Sequence, residues 1–329
     1  MHGPRGTVPS PSPPPKLSIS EVRFMRYCLL FQKHAFWTLG RALSIEFAVT
    51  GGMTRRVAVI TGGSSGIGYA AVQALIARGG WRVHIFDVVV LEDDVHPDIV
   101  PHRVSVVNYT ELAAAFKLVF EQSDNRLDFV FANAGILERE NWYATAAELD
   151  EPPPEPNWTA LDVNLKGCMN TIRIARHYMA RSPEKGSIVV TSSSAAIWPS
   201  EFTPVYTASK HGVVGFMRSI ADWYYQCDGI RVNALCPGVV RTRILPEASW
   251  NGFPAESFTP MELVIGIVLK FVDGETIVDS NGKSTDKDHG VTVVPSGQNF
   301  YLNEVPEYCN DIHKSMVEAG KVKEQVSLI

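Results

Sequence analysis

From Arg56 onward the sequence predicts an α/β fold, a doubly wound parallel sheet in three α/β/α layers with about seven strands. Three observations predict it. Short β-branched runs alternate with helix-period segments, and the runs are apolar throughout, as strands buried on both faces must be. A glycine-rich turn joins the first run to the first helical segment.

Val57 to Ile60 is the first strand. Residues 67–78 place Ile67, Ala71, Ala74, Leu75 and Ala77 near one helical face, and Gly79-Gly80 ends that helix. Trp81 to Phe86 is the next strand, 111–121 a helix and Leu127 to Phe131 another strand. A long helix around 158–180, a strand at 187–191, a helix at 205–225 and a strand at 230–235 complete the regular part. Residues 261–272 form an apolar helix, too short to span a bilayer and expected against the sheet or a partner subunit. A final strand is expected near 291–297. Helical stretches between strands imply right-handed crossovers, hence the parallel sheet. The proline-rich stretch 150–156 belongs at the surface, and the polar, turn-rich stretch 273–290 is expected to be a long mobile loop.

The domain organisation read from this pattern is an extension at 1–52, one catalytic domain at 53–310 and a C-terminal tail at 311–329. The extension holds six prolines in its first fifteen positions and six Arg/Lys against two acids. It reads as a disordered or overlong leader ahead of Met53, as a targeting segment, or as a small packed appendage. The expected location is the cytoplasm, with mitochondrion and peroxisome as alternatives; the terminal Ser327-Leu328-Ile329 lacks the basic middle residue of a peroxisomal tail.

Composition removes several function classes. The net charge of −5 comes without a dense basic stripe, which argues against nucleic acid as a partner. No apolar run is long enough for a membrane span. Five scattered cysteines without C-x-x-C spacing read as reduced thiols, and nine histidines show no paired metal spacing, so no metal site is expected. His211 is expected to pack beside the site, not to act in it.

Chemistry concentrates in two places. Thr61-Gly62-Gly63-Ser64-Ser65-Gly66-Ile67-Gly68 lies between a buried strand and an amphipathic helix, where glycines let the backbone turn sharply and approach a pyrophosphate at the helix N-terminus. The second strand ends at Asp87, whose carboxylate would accept from ribose hydroxyls and repel a 2′-phosphate. No Arg or Lys lies in the glycine turn to neutralise that phosphate, so NAD is the expected cofactor. The other reading of Asp87 is a strand-end cap of a turn.

The second place is Tyr206-Thr207-Ala208-Ser209-Lys210, where i and i+4 share a helical face. A tyrosine is a poor base near neutrality; a cation that lowered its pKa by ~3 would contribute ~4 kcal/mol toward the phenolate. Ser193, thirteen residues upstream at a strand's carboxyl end, can donate to a reacting carbonyl oxygen while Tyr206 moves the proton. The run 192–194 lacks the G-x-S-x-G elbow of a serine nucleophile.

On these residues the chain resembles the short-chain dehydrogenase/reductase family in its compact single-domain form, with a Rossmann fold. The T-G-x-x-x-G-x-G turn falls on Thr61 to Gly68, the N-A-G strand end on Asn133-Ala134-Gly135, the active-site serine on Ser193 and the Y-x-x-x-K pair on Tyr206 and Lys210. The resemblance implies that Asn164 holds a water of a proton relay to the lysine. It also implies that Pro237, Gly238, Val239 and Thr242 lie at the nicotinamide carboxamide. The stretches 204–216 and 230–242 resemble NAD-dependent 15-hydroxyprostaglandin dehydrogenase-like members. One departure is Ser105, standing where the family often has an Asp for the adenine amine.

The implied activity is hydride transfer between a secondary alcohol or ketone and NAD, with Tyr206 as general base or acid, in a homodimer or homotetramer built on the helices near 158–180 and 205–225. A catalytically silent dinucleotide sensor is the alternative, and an epimerase or dehydratase a third reading. Loops 136–157, 194–204 and 243–260 would set specificity. Their Trp198, Trp250, Phe253 and Phe258 suit either a bulky apolar substrate or the packing of a lid.

Overall fold

Among the described residues, eight strands form one sheet in the order β3-β2-β1-β4-β5-β6-β7-β8. They are β1 (Arg56–Thr61), β2 (Trp81–Asp87), β3 (Ile99–Arg103), β4 (Phe129–Ala132), β5 (Ser187–Thr191), β6 (Arg231–Leu235), β7 (Thr292–Ser296) and β8 (Asn299–Leu302). The helices are α1 (Gly66–Arg78), α2 (Tyr109–Gln122), α3 (Cys168–Met179), α4 (Pro204–Asp228), α5 (Met261–Asp273) and α6 (Asp311–Ala319). The structure, a computed structural model, describes residues 55–91, 96–143 and 152–321. All of them belong to the compact unit Thr54–Ile329; the extension at 1–52 lies outside the described residues, as does the end of the tail.

Period-two alternation sorts the core into two layers. In β1, Val57 and Val59 join the cluster under α2, α3 and α4, while Ala58 and Ile60 join the one under α1 and α5. Val130 and Ala132 of β4 turn to the first layer, and Phe129 and Phe131 to the second. Each such Phe, Ile or Leu, wholly buried here, contributes about 1.5–3 kcal/mol. The doubly wound three-layer fold expected from sequence is therefore the observed one. Because β1 sits between β2 and β4, the chain reverses direction there, and a crevice opens at the carboxyl ends of β1 and β4.

Four details differ from expectation. The sheet ends in an antiparallel strand: β8 folds back on β7, pairing Val293 with Leu302 and Ser296 with Asn299 across a turn in which Gly297 has φ of +53°. β3 pairs parallel to β2 although its sequence, IVPHR, carries no continuous β-branched run. The helix expected around 158–180 is three pieces, an α-turn (Thr159–Leu161), a π-helical segment (Asp162–Gly167) and α3.

Stretch 273–290, expected to be mobile, is pinned. The Asp279 carboxylate accepts from the N–H groups of Asn281 (2.9 Å), Lys283 (3.0 Å) and Leu302 (3.1 Å). Farther along it, His289 stacks on Tyr225 with ring centroids 3.9 Å apart. The apolar helix α5 buries Val264, Ile267, Val268 and Phe271 against the sheet, as the first of its two readings required. Among the described residues no helix is long and apolar enough to cross a membrane.

Candidate active site

The glycine turn leaves β1 with Gly62 at φ +63° and enters α1 through Gly66 at φ +54°, both in the left-handed region where L side chains are strained. A Cβ at Gly68 would lie 2.2 Å from the Gly62 carbonyl oxygen, and one at Gly62 would lie 2.8 Å from Ala134 Cα. The turn is thus packed directly on Asn133-Ala134-Gly135 at the end of β4. Thr61 Oγ1 accepts from the N–H groups of Asn133 (3.0 Å) and Ala134 (3.1 Å). Asn133 Nδ2 donates to the carbonyls of Thr61 and Gly62, and its Oδ1 accepts from Thr191 Oγ1 at 2.9 Å. A latch of neutral groups therefore joins β1, β4 and β5 beneath the crevice.

Ser65 stands at the N-cap of α1, and its side chain makes no capping bond. The first-turn N–H groups, Gly66, Ile67 and Gly68 among them, have no intrahelical acceptor and carry the positive end of the helix dipole. That donor set suits a pyrophosphate. Asp87 uses Oδ2 to accept the Ser64 N–H (3.0 Å) and Oδ1 to accept the Val89 N–H (3.1 Å). The turn-capping reading is realised, and each oxygen keeps acceptor capacity for a ribose hydroxyl. Ser64 Oγ donates to the Val89 carbonyl. Ser105 follows β3 by two residues, its carbonyl accepting from Asn108.

Opposite the turn, the segment after β6 closes the crevice. A Cβ on Gly66 would approach Thr242 to 3.3 Å, so the two segments face each other closely. Pro237 O accepts the Ser194 N–H at 2.8 Å, Gly238 N–H donates to Pro295 at 2.8 Å, and Val239 O accepts from Thr259 at 2.7 Å. These bonds hold the segment against the serine of the site.

Ser193 caps a 3₁₀ turn, Ser194–Ala196, its Oγ accepting the Ala195 N–H at 3.1 Å. The Tyr206 phenol, on the first turn of α4, lies close enough to this serine for the two to interact. Lys210, one turn on and buried, donates from Nζ to the Thr191 carbonyl at 2.8 Å and lies 5.5 Å from the Tyr206 ring centre. Gly135 makes room: a Cβ there would stand 3.3 Å from both Lys210 Nζ and Asn164 Oδ1. Asn164, buried in the π-helical segment, accepts the Ile136 N–H (2.8 Å) and donates to the Ile136 carbonyl (2.9 Å) and Ser209 Oγ (3.1 Å). Asn164, Tyr206 and Lys210 are thus brought together around Gly135 and Ser209.

Electrostatics corrects one expectation. Burial pushes the Tyr206 phenol up; its interaction with Ser193 opposes this and the nearby Cys236 adds to it. Burial pushes Lys210 down to about 8, against the opposing influence of Cys168 and Cys236. The expected large depression of Tyr206 by Lys210 is not what the geometry delivers, because desolvation acts on both groups and disfavours both charged forms. Burial also raises Cys168 to about 12 and Cys236 to about 11, which keeps both as thiols.

Three contributors escaped the sequence reading. Thr191 supplies both the acceptor for Lys210 and the donor to Asn133. Ser209 links Asn164 to the Tyr206 carbonyl, to which its Oγ donates at 2.7 Å. Glu138 accepts from the N–H groups of Val205 (2.9 Å) and Tyr206. The one local signal was at α4: Thr203 precedes Pro204 without a capping side chain, which leaves first-turn donors needing an acceptor. His211, expected to pack, is exposed and turns back to its own helix at the Thr207 carbonyl. Of the loop aromatics, Trp250 is buried against Phe253 and Phe258, whereas Trp198 is 62% exposed.

Fold and crevice together are those of a nucleotide-dependent oxidoreductase, and comparison with known proteins agrees. Residues 56–251 match the short chain dehydrogenase family. The short-chain dehydrogenase/reductase prx7 of Penicillium rubens is 38% identical over 281 residues, spanning 80% of this chain and 99% of that protein. Human 15-hydroxyprostaglandin dehydrogenase [NAD(+)] is 32% identical over 203 residues, 58% of this chain and 70% of that one. Among solved structures, gox2181 superimposes with a TM-score of 0.53 at 26% identity, covering 67% of this chain and 89% of its own. The chain belongs to the short-chain dehydrogenase/reductase family, whose members are NAD(P)-dependent oxidoreductases.

Proposed function

We propose that the protein oxidises a secondary alcohol, or reduces the matching ketone, with NAD as its cofactor. The observation that carries this reading is the convergence of Ser193, Tyr206 and Lys210 at the carboxyl ends of the strands, beside a glycine turn built for a pyrophosphate. The first-turn N–H groups of α1 would hold the pyrophosphate, Asp87 the adenosine ribose, and Pro237 to Thr242 the nicotinamide end. When bound, the nicotinamide supplies the hydride acceptor.

The chain's own residues manage the proton. Ser193 Oγ accepts the Ala195 N–H, and its one hydrogen would turn to an alcohol or carbonyl oxygen when substrate is bound. Tyr206, beside that serine, takes the proton of the substrate hydroxyl as the phenolate, after its own proton has left toward solvent. Lys210 spends one N–H on Thr191 and keeps others for a ribose. Asn164 Oδ1 accepts one N–H, from Ile136, and so keeps acceptor capacity for a relay water.

Asp87, with no basic residue in the glycine turn, supports NAD over NADP, and the human relative, which carries NAD(+) in its name, agrees. The likeness to that relative also supports placement near its branch. Exposed Trp198 and Phe202, on the loop between Ser193 and Tyr206, support a bulky apolar substrate. The test is NADH absorbance on mixing the protein with NAD and a panel of secondary alcohols, with NADP in parallel. NADH formation is expected. Turnover with NADP alone would overturn the role of Asp87, and tight NAD binding without any turnover would favour a sensor.

A further inference from the structure

We propose that Glu138 is a positioning residue for Tyr206, closing a hydrogen-bonded ring that fixes the tyrosine relative to Asn164. The inference rests on the proposed role of Tyr206 as the group that moves the proton.

Helix α4 begins without local help. Its N-cap, Thr203, makes no capping bond and turns its hydroxyl to Ser200, and Pro204 fills the first helical position. The next two N–H groups are those of Val205 and Tyr206, and both go to the Glu138 carboxylate, 67 and 68 residues away in sequence. An ionised acceptor on two N–H groups at a helix N-terminus is among the stronger hydrogen-bonding arrangements. It holds the residue whose side chain is the proposed base.

The other end of the strap is equally fixed. Two residues before Glu138, the backbone of Ile136 bonds both ways with the side chain of Asn164, at 2.8 and 2.9 Å. Asn164 Nδ2 also donates to Ser209 Oγ, which donates to the Tyr206 carbonyl. The ring therefore runs from Asn164 through Ser209 to Tyr206, through Glu138 to Ile136, and back to Asn164. Glu138 is its charged member and closes it. Without Glu138, Tyr206 would be held on the carbonyl side only, and the N–H side would be left to water.

The ring also has an electrostatic signature. The ionisable groups around Tyr206 are Lys210 on its own helix, Cys236 at the end of β6, and Glu138 at its N–H. A carboxylate there opposes formation of the phenolate, and its removal uncovers the positive end of the helix, which favours it. Both changes move the tyrosine's titration down.

The experiment compares Glu138→Gln and Glu138→Ala in the full chain. The substrate-free readout is the tyrosinate absorbance titration of Tyr206, isolated by subtracting the same protein carrying Tyr206→Phe. Glu138→Gln, which keeps the shape and one acceptor oxygen, is expected to lower the midpoint by about half a pH unit. With an alcohol that the wild type oxidises, kcat is expected to fall by about 3-fold in Glu138→Gln and by about 10-fold or more in Glu138→Ala. The dissociation constant for NADH should stay within about 2-fold in both. An unmoved midpoint in Glu138→Gln, or wild-type kcat in a folded Glu138→Ala, overturns the inference. Full activity in Tyr206→Phe itself would instead remove the proposed role of the tyrosine, so the two failures are distinguishable.

Discussion

The crevice has two walls built on opposite principles. On the glycine-turn side, Thr61, Asn133 and Thr191 form a latch of uncharged groups in which bond after bond ends on the backbone. On the helix-α4 side, an ammonium, a phenol and two thiols are buried together, and desolvation pushes each toward its neutral form. The first wall adds stability and shape. The second gives up stability to hold reactive groups ready, as sites that must shift protons do.

Replacing residues on each side should therefore break the molecule differently. The largest effect is expected for Lys210→Met, which removes the buried cation but keeps its volume. Turnover of an alcohol substrate should fall ~10³-fold, while the melting temperature stays level or rises, because an apolar group replaces a buried charge. A steep loss of stability in a calorimetric scan would instead make Lys210 part of the scaffold.

Gly68→Ala attacks the other wall. Its new Cβ would meet the Gly62 carbonyl at 2.2 Å and Asn133 Nδ2 at 2.6 Å, and both belong to the latch. A stability loss of about 2–3 kcal/mol is expected, together with a large fall in NADH affinity by fluorescence titration. Asn133→Ala should cost somewhat less, about 2 kcal/mol in urea unfolding. It leaves Thr191 Oγ1 and two carbonyls without their partner. Unchanged stability in that variant would show that the latch is ornamental.

The smallest effect lies below both walls. His84 and His102 stack inside the sheet, 2.9 Å apart between ring nitrogens, and burial lowers His84 from 6.5 to about 3. Burial lowers His102 as well. The unfolded chain then binds more protons than the folded one between those values, so stability is complete above pH 6.5 and is lost as pH falls toward 3. For His84 alone the loss reaches about 1.4 kcal/mol by pH 5.5. His84→Gln should flatten that slope in denaturant titrations at pH 7 and 5.5, and an unaltered slope would exclude the pair as its source.

Legibility in the sequence followed the same division. The glycine turn was readable because its demands are local: strand, positive-φ glycines and helix lie within a dozen residues. Tyr206 and Lys210 were readable because i and i+4 share a helical face, and Asp87 because β2 is short and its end well marked. What could not be read depends on distant partners. Glu138 reaches its helix across 67 residues, and Asp279 turns a polar, turn-rich stretch into a fixed one by collecting three backbone N–H groups. The burial that raises Tyr206 belongs with these, since it is a tertiary property that i and i+4 spacing does not contain. Strand β8 is four residues long and only half-buried, with Phe300 and Leu302 packed on the core, too short a run to announce a strand of its own.

The claim that the α4 wall does the chemistry and the glycine wall holds the nucleotide is tested most directly by Tyr206→Phe, assayed two ways on one preparation. NADH formation from an alcohol accepted by the wild type should fall ~10³-fold or more, while NADH affinity remains within about 2-fold. Substantial residual turnover, or affinity lost in step with activity, would contradict the division between the two walls.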